Sequence, residues 1–456
     1  MDGQPIDQER LDELNGAARQ WHTEIIVARR SPITRSACSS RGSGFGERLA
    51  NARPYSVPSI VSFTCVKRTV CIPVECSRYA SCGPDVKITN VSASHLPGTR
   101  YAWVFLHIET DAGIRGLGQV SSGPQSALVA AAASRLGPLL VGEDPSRIEY
   151  IWHKLYANFN SLGSLGFVSA LMSGVDIALW DIRGKALGLP IYQLLGGKFH
   201  DRLQLYSNGW FTGCSTPEDF ARAAAKTVAD GHTALKLDPF LRGHRYLSRY
   251  AAPYPPEDDI EAEHIVEQIR KAVGSGVEIF IDAHGRFDVP TAVRLANRLA
   301  PYRIGWFEEP VPPENWDALR QFRERSDVPV CVGERLYTRW QFRPVLEQKL
   351  AEYIMPDIIR TGGISEIKKI ANMAEAFFVP ISPHDATGPI TLIAGAHTML
   401  STPNFFRLEI AYSELELYQK VMDPPFDVAA GYMSVSDRPG LGHELREDYR
   451  ARAIPY

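Results

Sequence analysis

Residues 278–310 read EIFIDAHGRFDVPTAVRLANRLAPYRIGWFEEP, an apolar run, a helical segment and a second apolar run. The first run ends in Asp282-Ala283-His284 and the second in Glu308-Glu309-Pro310. The same unit recurs on either side. Upstream lie LQLYSNGW (203–210) and ALKLDPF (234–240); downstream lie PVCVGE (329–334), YIMPDII (353–359), VPISPHD (379–385) and FFRLEI (405–410). Short apolar runs alternating with helical segments imply strands of a parallel sheet. Eight of them over roughly 200 residues fit a (β/α) barrel. A doubly wound sheet is the alternative, but it ordinarily carries a Gly-rich phosphate loop after its first strand. The two GG pairs, Gly196-Gly197 and Gly362-Gly363, lack that GxGxxG spacing.

Before the barrel, VKITNV from Val86 reads as a first strand, and YAWVFLHIETDAGIRGLGQV (101–120) as a hairpin turning at Thr110-Asp111-Ala112-Gly113. Residues 124–196 have helical period. Within them SALMSGVDIALWDIRGKALGLPIYQLLGG reads as an amphipathic helix, broken at Gly188-Leu189-Pro190 and closed by Gly196-Gly197. The folded part is thus a small α+β layer followed by a barrel.

Barrel chemistry sits at the C-terminal ends of strands. Here those ends carry Lys236-x-Asp238, Asp282-x-His284, Glu308-Glu309, Glu334, Asp357, His384 and Glu409. One acid at a strand end is ordinarily a helix cap or a surface charge; seven ends in a row put their charges on one rim. Carboxylates brought together there repel unless a cation joins them. Asp282, Glu308 and Glu334 come from three successive strands, about 25 residues apart. Three oxygen ligands without Cys suit a hard ion, Mg2+, with water or substrate completing six ligands. His284 and His384 lie beside this triad, and Asp357 on the neighbouring strand can hold the His384 tautomer. A divalent ion with two acid/base groups suits proton abstraction next to a carboxylate, where the ion stabilises the enolate and an acid expels a β-hydroxyl.

The chain of 456 residues has Lys+Arg 49 against Asp+Glu 52, a net charge of -3. That balance argues against a nucleic-acid binder, and no apolar run is long enough to span a membrane. One asymmetry stands out: five of the seven cysteines (Cys38, Cys65, Cys71, Cys76, Cys82) lie in the first 85 residues, with ten Arg. Their spacing contains no CxxC pair, as a zinc module requires. The start MDGQPIDQER has neither a signal peptide's apolar core nor an acid-poor presequence. Residues 1–85 are therefore expected to be an extension, disordered or non-native, rather than a cysteine-bearing module. The remaining Cys214 and Cys331 are far apart, as in a reducing cytoplasm.

The segments ALMSGVDIALWDIRGKALGLPIYQLLG, DAHGRFDVPTAVRLANRL, FEEPVPPENWDALR, GERLYTR, PDIIRTGGISEIKKIANMAE and PHDATGPI resemble the enolase superfamily, mandelate racemase subgroup, and within it galactonate-dehydratase-like members. The resemblance covers residues 86–456. It implies an α+β capping domain (86–200), a modified TIM barrel (β/α)7β (201–411) and a C-terminal segment (412–456) returning to the cap. It implies Asp282, Glu308 and Glu334 as metal ligands and His384 with Asp357 as the base. It implies His284 as the acid on the departing 3-hydroxyl, and Glu409 as the partner of the enolate oxygen, a role that needs a held or shared proton. Racemases of this family carry K-x-K at the second strand, whereas this chain has Lys236-x-Asp238, which argues against a lysine-based two-base racemase. Lys236, Asp238 and Arg335 are candidate substrate contacts, Lys236 equally a structural cation. Cap loops near 97–101 and 158–167 are expected to set specificity. The expected activity is Mg2+-dependent dehydration of an aldonate to a 2-keto-3-deoxy acid in a homo-oligomer. An epimerase, racemase or cycloisomerase of the same superfamily, or a catalytically silent member, is the alternative.

Overall fold

Three strands between residues 88 and 121 build an antiparallel sheet. The computed structural model describes residues 86–96, 103–121, 126–163, 165–240, 256–385 and 387–456. The extension with its five cysteines and the loop at 97–101 lie outside them. Strands β1 (Ile88–Leu96), β2 (Trp103–Thr110) and β3 (Arg115–Ser121) pair in order. The C-terminal strand Ile454–Pro455 adds to the free edge of β1, opposite Ser94 and His95. Helices α1 (Ser126–Ala133), α2 (Ile148–Phe159) and α3 (Phe167–Leu187) cover one face. Their core gathers Val104, Leu106, Ile108, Ile151, Trp152 and Leu171.

Helix α3 departs from the amphipathic reading: fifteen of its 21 residues are buried. It is sandwiched, so it has no solvent stripe. One side meets β3 so closely that a Cβ on Gly118 would lie 2.0 Å from the Gly174 carbonyl oxygen. The other side meets the barrel.

The barrel strands are β4 (Leu203–Asn208), β5 (Ala234–Leu237), β6 (Glu278–Asp282), β7 (Ile304–Glu308), β8 (Val330–Val332), β9 (Tyr353–Ile354) and β10 (Leu408–Ala411). From β4 to β9 each pairs parallel with the next, and β10 pairs parallel with β4. The run at 379–385, expected as a strand, makes only isolated bridges: Ile354 to Ile381, Ile381 to Phe405 and Asp357 to His384. Pro380 and Pro383 lack the N–H donors a continuous ladder requires. Those bridges still close the ring, and seven strand–helix units followed by β10 make a (β/α)7β barrel. Its outer core lies between strands and helices, with Leu235, Ile279, Ile281, Phe307 and Ile354 among its members. Among the described residues no helix is long and apolar enough to cross a membrane.

Candidate active site

Side chains of a strand alternate between its faces, so the barrel interior is layered. One layer is apolar: Tyr206, Ala234, Phe280, Trp306, Cys331 and Met355. Phe280 and Trp306 stack at 3.6 Å, and Tyr206 meets both edge-on. Two residues further along the same strands come Asn208, Lys236, Asp282, Glu308 and Asp357. The period of 2 thus places a polar layer directly over an aromatic floor.

Asp282 and Glu308 are register partners on β6 and β7. Glu334 lies past the end of β8, reached through Gly333 at φ +146°, where a Cβ would come within 2.9 Å of the Met355 backbone. A larger residue at this bend would push Glu334 away from its neighbours. The three carboxylates each offer an oxygen, all within 4.8 Å of one another, and all three residues are buried. Burial and Asp282 push the Glu308 carboxyl well above its ordinary range, against the pull of Lys236. Burial opposes the Glu334 anion too, yet His384, Arg360 and His284 hold it below the usual range. An all-oxygen set crowded this way fits a hard divalent cation.

Lys236 is fully buried, its Nζ 2.8 Å from Glu308 Oε1, 2.9 Å from Glu409 Oε1 and 3.8 Å from Asp282 Oδ2. Its ammonium thus pairs with the acid ring from inside the barrel. Glu409 Oε2 accepts from the Tyr206 hydroxyl (2.9 Å) and the Asp385 N–H (3.0 Å), and its Oε1 from Asn208 Nδ2 (2.8 Å). Burial would raise its pKa, but Lys236 and His384 lower it. Four donors therefore surround Glu409: Tyr206, Asn208, Lys236 and the Asp385 N–H.

His384 Nδ1 lies 2.8 Å from Asp357 Oδ2, and its Nε2 lies 3.2 Å from Glu334 Oε2. Asp357 is itself fixed, since its Oδ1 accepts the Ile359 N–H at 2.8 Å. Burial disfavours the imidazolium, but Glu409, Glu334 and Asp357 raise the His384 pKa to about 10. Beside Asp282, His284 has its Nε2 3.3 Å from Asp282 Oδ2 and its Nδ1 3.2 Å from Asp238 Oδ2. Its pKa rises to about 9, burial being outweighed by Asp282 and Asp238.

Two candidate substrate contacts have other partners. Asp238 is buried, with both oxygens 2.8 Å from Arg286 Nη2. Arg335 Nε donates to Glu309 Oε2 at 2.5 Å. Each carboxylate thus has a guanidinium partner. Tyr206, Asn208, Arg286 and Arg360 were not singled out from the sequence. Tyr206 and Asn208 could have been: they occupy alternate positions of the first barrel run, the face that points inward. Arg360 Nη1 donates to the Glu334 carbonyl at 2.8 Å. It also borders a cavity of about 300 Å3 with Asp357, Tyr337, Leu128, Gly166 and Phe167, where cap meets barrel.

Residues 86–196 match the mandelate racemase / muconate lactonizing enzyme N-terminal domain, and residues 219–449 match the enolase C-terminal domain-like family. The D-xylonate dehydratase of Haloferax volcanii is 33% identical over 374 residues, 80% of this chain and 88% of that protein. The D-galactonate dehydratase of Ralstonia nicotianae is 36% identical over 379 residues, 81% of this chain and 96% of that protein. A solved structure of an enolase superfamily member from Salmonella Typhimurium aligns with a TM-score of 0.77 at 33% identity, covering 81% of this chain and 99% of that one. With a cap, a (β/α)7β barrel and both domain matches in one chain, the protein belongs to the mandelate racemase / muconate lactonizing enzyme family of the enolase superfamily.

Proposed function

We propose that the protein dehydrates a sugar acid, an aldonate of the galactonate type, to a 2-keto-3-deoxy acid, with Mg2+ held by Asp282, Glu308 and Glu334. The observation that carries this reading is a pair of imidazoles flanking one carboxylate triad, His384 against Glu334 and His284 against Asp282. A bound divalent ion supplies Lewis-acid stabilisation of the negative charge that develops on the substrate carboxylate. His384, oriented by Asp357, takes the proton from C2 through Nε2. His284 delivers a proton to the 3-hydroxyl as the C3–O bond breaks, so that water leaves with the electron pair and the enol becomes the keto acid. Lys236 keeps Glu308 and Glu409 paired throughout, and the cavity beside Arg360 and Tyr337 accommodates the distal hydroxyls. The dehydratase relatives support the reaction type. The two unpaired cysteines of the described chain, Cys214 and Cys331, suit the cytoplasm as its setting. A homo-oligomer is proposed on the family resemblance alone.

The test is keto acid formation across a library of aldonates and aldarates with Mg2+. The expected outcome is a 2-keto-3-deoxy product from a narrow stereochemical set. Deuterium incorporation at C2 with no keto acid from any member would turn the reading to an epimerase or racemase.

A further inference from the structure

His284 poses a mechanical problem. Its side chain is 45% exposed, so packing alone does not fix the ring. Its backbone sits at φ +50°, a conformation that disfavours non-glycine residues. The loop is nevertheless tightly held. The Ala283 N–H donates to the Glu308 carbonyl at 3.0 Å, the Gly285 N–H to the Glu309 carbonyl at 2.7 Å, and the His284 N–H to Asp282 Oδ1 at 2.9 Å. What remains free is rotation of the imidazole, and two side chains meet it: Asp282 of the carboxylate triad at Nε2 (3.3 Å) and Asp238, outside the triad, at Nδ1 (3.2 Å). Asp238 cannot turn away: Oδ1 accepts the Phe240 N–H at 3.0 Å, and Arg286 Nη2 grips both oxygens. Arg286 is buried as well, and its Nε donates to the Ala283 carbonyl at 3.0 Å. One guanidinium therefore ties the carboxylate just past the end of β5 to the loop that carries His284.

We infer that Asp238, clamped by Arg286, is the positioning residue of His284: it receives the Nδ1–H and leaves Nε2 facing the acid ring. The arrangement repeats that of Asp357 and His384 on the other side of the triad. It also gives the second position of Lys236-x-Asp238 a role in place of the missing lysine. The inference rests on the dehydratase reading proposed above. In that reaction Asp238 serves the second half, departure of the 3-hydroxyl, while C2 proton removal belongs to His384.

The two halves can be read separately in the full-length protein with Mg2+ in D2O, given D-galactonate, D-gluconate and D-xylonate. Keto acid reports the complete reaction, and deuterium at C2 of recovered substrate reports proton removal followed by return. Asp238→Asn still accepts from Arg286 but removes the carboxylate charge from Nδ1–H. It is expected to slow keto acid formation on the order of 10²-fold. The ratio of C2 exchange to keto acid is expected to rise by about tenfold or more, as the enolate waits for its acid. In a His284→Asn background the same change should cost nothing further, because Asp238 acts through His284. Parallel loss of exchange and dehydration overturns the inference, as does a further loss in the His284→Asn background or an unchanged rate. If Asp238→Asn does not fold, Arg286→Lys loosens the clamp and should shift the same ratio by a smaller factor; a parallel loss there overturns it equally. Wild-type inactivity on all three acids would instead overturn the dehydratase reading, and this inference with it.

Discussion

At the scale of single residues, the site is a negotiation among charges that cannot all be satisfied by protein alone. Lys236 answers two carboxylates and approaches a third, yet Glu308 is still pushed up and both histidines are drawn toward the imidazolium. A divalent cation entering among Asp282, Glu308 and Glu334 competes for the same negative charge, so it must displace protons. The expected result is release of about one proton or more per Mg2+ bound near neutral pH. The sign follows from raised pKa values: the competing protonated forms dominate at low pH and fade as pH rises, so affinity increases toward alkaline pH. Calorimetry in buffers of different ionisation enthalpy measures the release directly; uptake without proton release, or tighter binding at lower pH, would contradict the charge assignment. The proposed role of His384 as base is tested by His384→Ala, which should lower turnover of a productive aldonate by about 10²- to 10⁴-fold. It should also abolish C2 exchange, which His284→Asn should not. A variant that turns over at near-normal rates removes His384 from the role.

At the scale of elements, α3 links cap to barrel at the segment that carries Asp357. Ser173 Oγ accepts the Gly362 N–H at 3.0 Å and donates to the Ile359 carbonyl at 2.5 Å, while Ser169 Oγ donates to the Arg360 carbonyl at 2.8 Å. One turn on, Asp176 Oδ2 accepts the Ser365 N–H at 3.0 Å, at the start of the barrel helix Ile364–Ala376. These residues fall on one side of α3, spaced by a helical turn. Burial pushes the Asp176 carboxyl up to about 7, the Ser365 hydrogen bonds pulling the other way. A folded-state pKa above the unfolded value means that the folded state holds a proton the unfolded state releases. Its contribution is fully present below about pH 4 and is lost as pH rises through about 7. Melting temperatures of the wild type should therefore fall across that window more than those of Asp176→Asn, which cannot titrate; identical slopes would remove Asp176 as the cause. This docking face also explains what the sequence could and could not disclose. Strand-end residues such as Asp282 and Glu308 were legible because a period of 2 fixes their side-chain direction. The serines of α3 read as ordinary helix positions, since their backbone partners at Ile359, Arg360 and Gly362 lie far away along the chain. The pairing of Asp238 with Arg286 was not legible, because Arg286 comes from a different strand end and pairing across strands leaves no local signal. The run around His384 was legible as a barrel position but not as an irregular one, although its two prolines carried that information.

At the scale of the whole molecule, the question is how much chain the enzyme needs. Both edges of the described fold are tied to each other: β1 begins at Ile88, whose N–H donates to the Glu143 carbonyl at 2.9 Å, and the C-terminal strand lies against its far end. Tyr456 closes this contact, its N–H donating to the Ala93 carbonyl at 2.9 Å. The cap sheet thus gains a strand from the C-terminus at the β1 edge. The family match begins at residue 86, and the proposed metal ligands and acid/base groups all lie between Lys236 and Glu409. A chain comprising residues 86–456 is therefore expected to match the full-length protein in melting temperature, Mg2+ affinity and turnover. Removing the last residues instead, from 453 onward, exposes the β1 edge and should lower the melting temperature, because unpaired strand groups lose their partners. The two truncations are opposed in their expected outcomes, which makes the comparison decisive. Insolubility or inactivity of 86–456 would make the first 85 residues part of the working fold, and the boundary at Val86 would have to be abandoned.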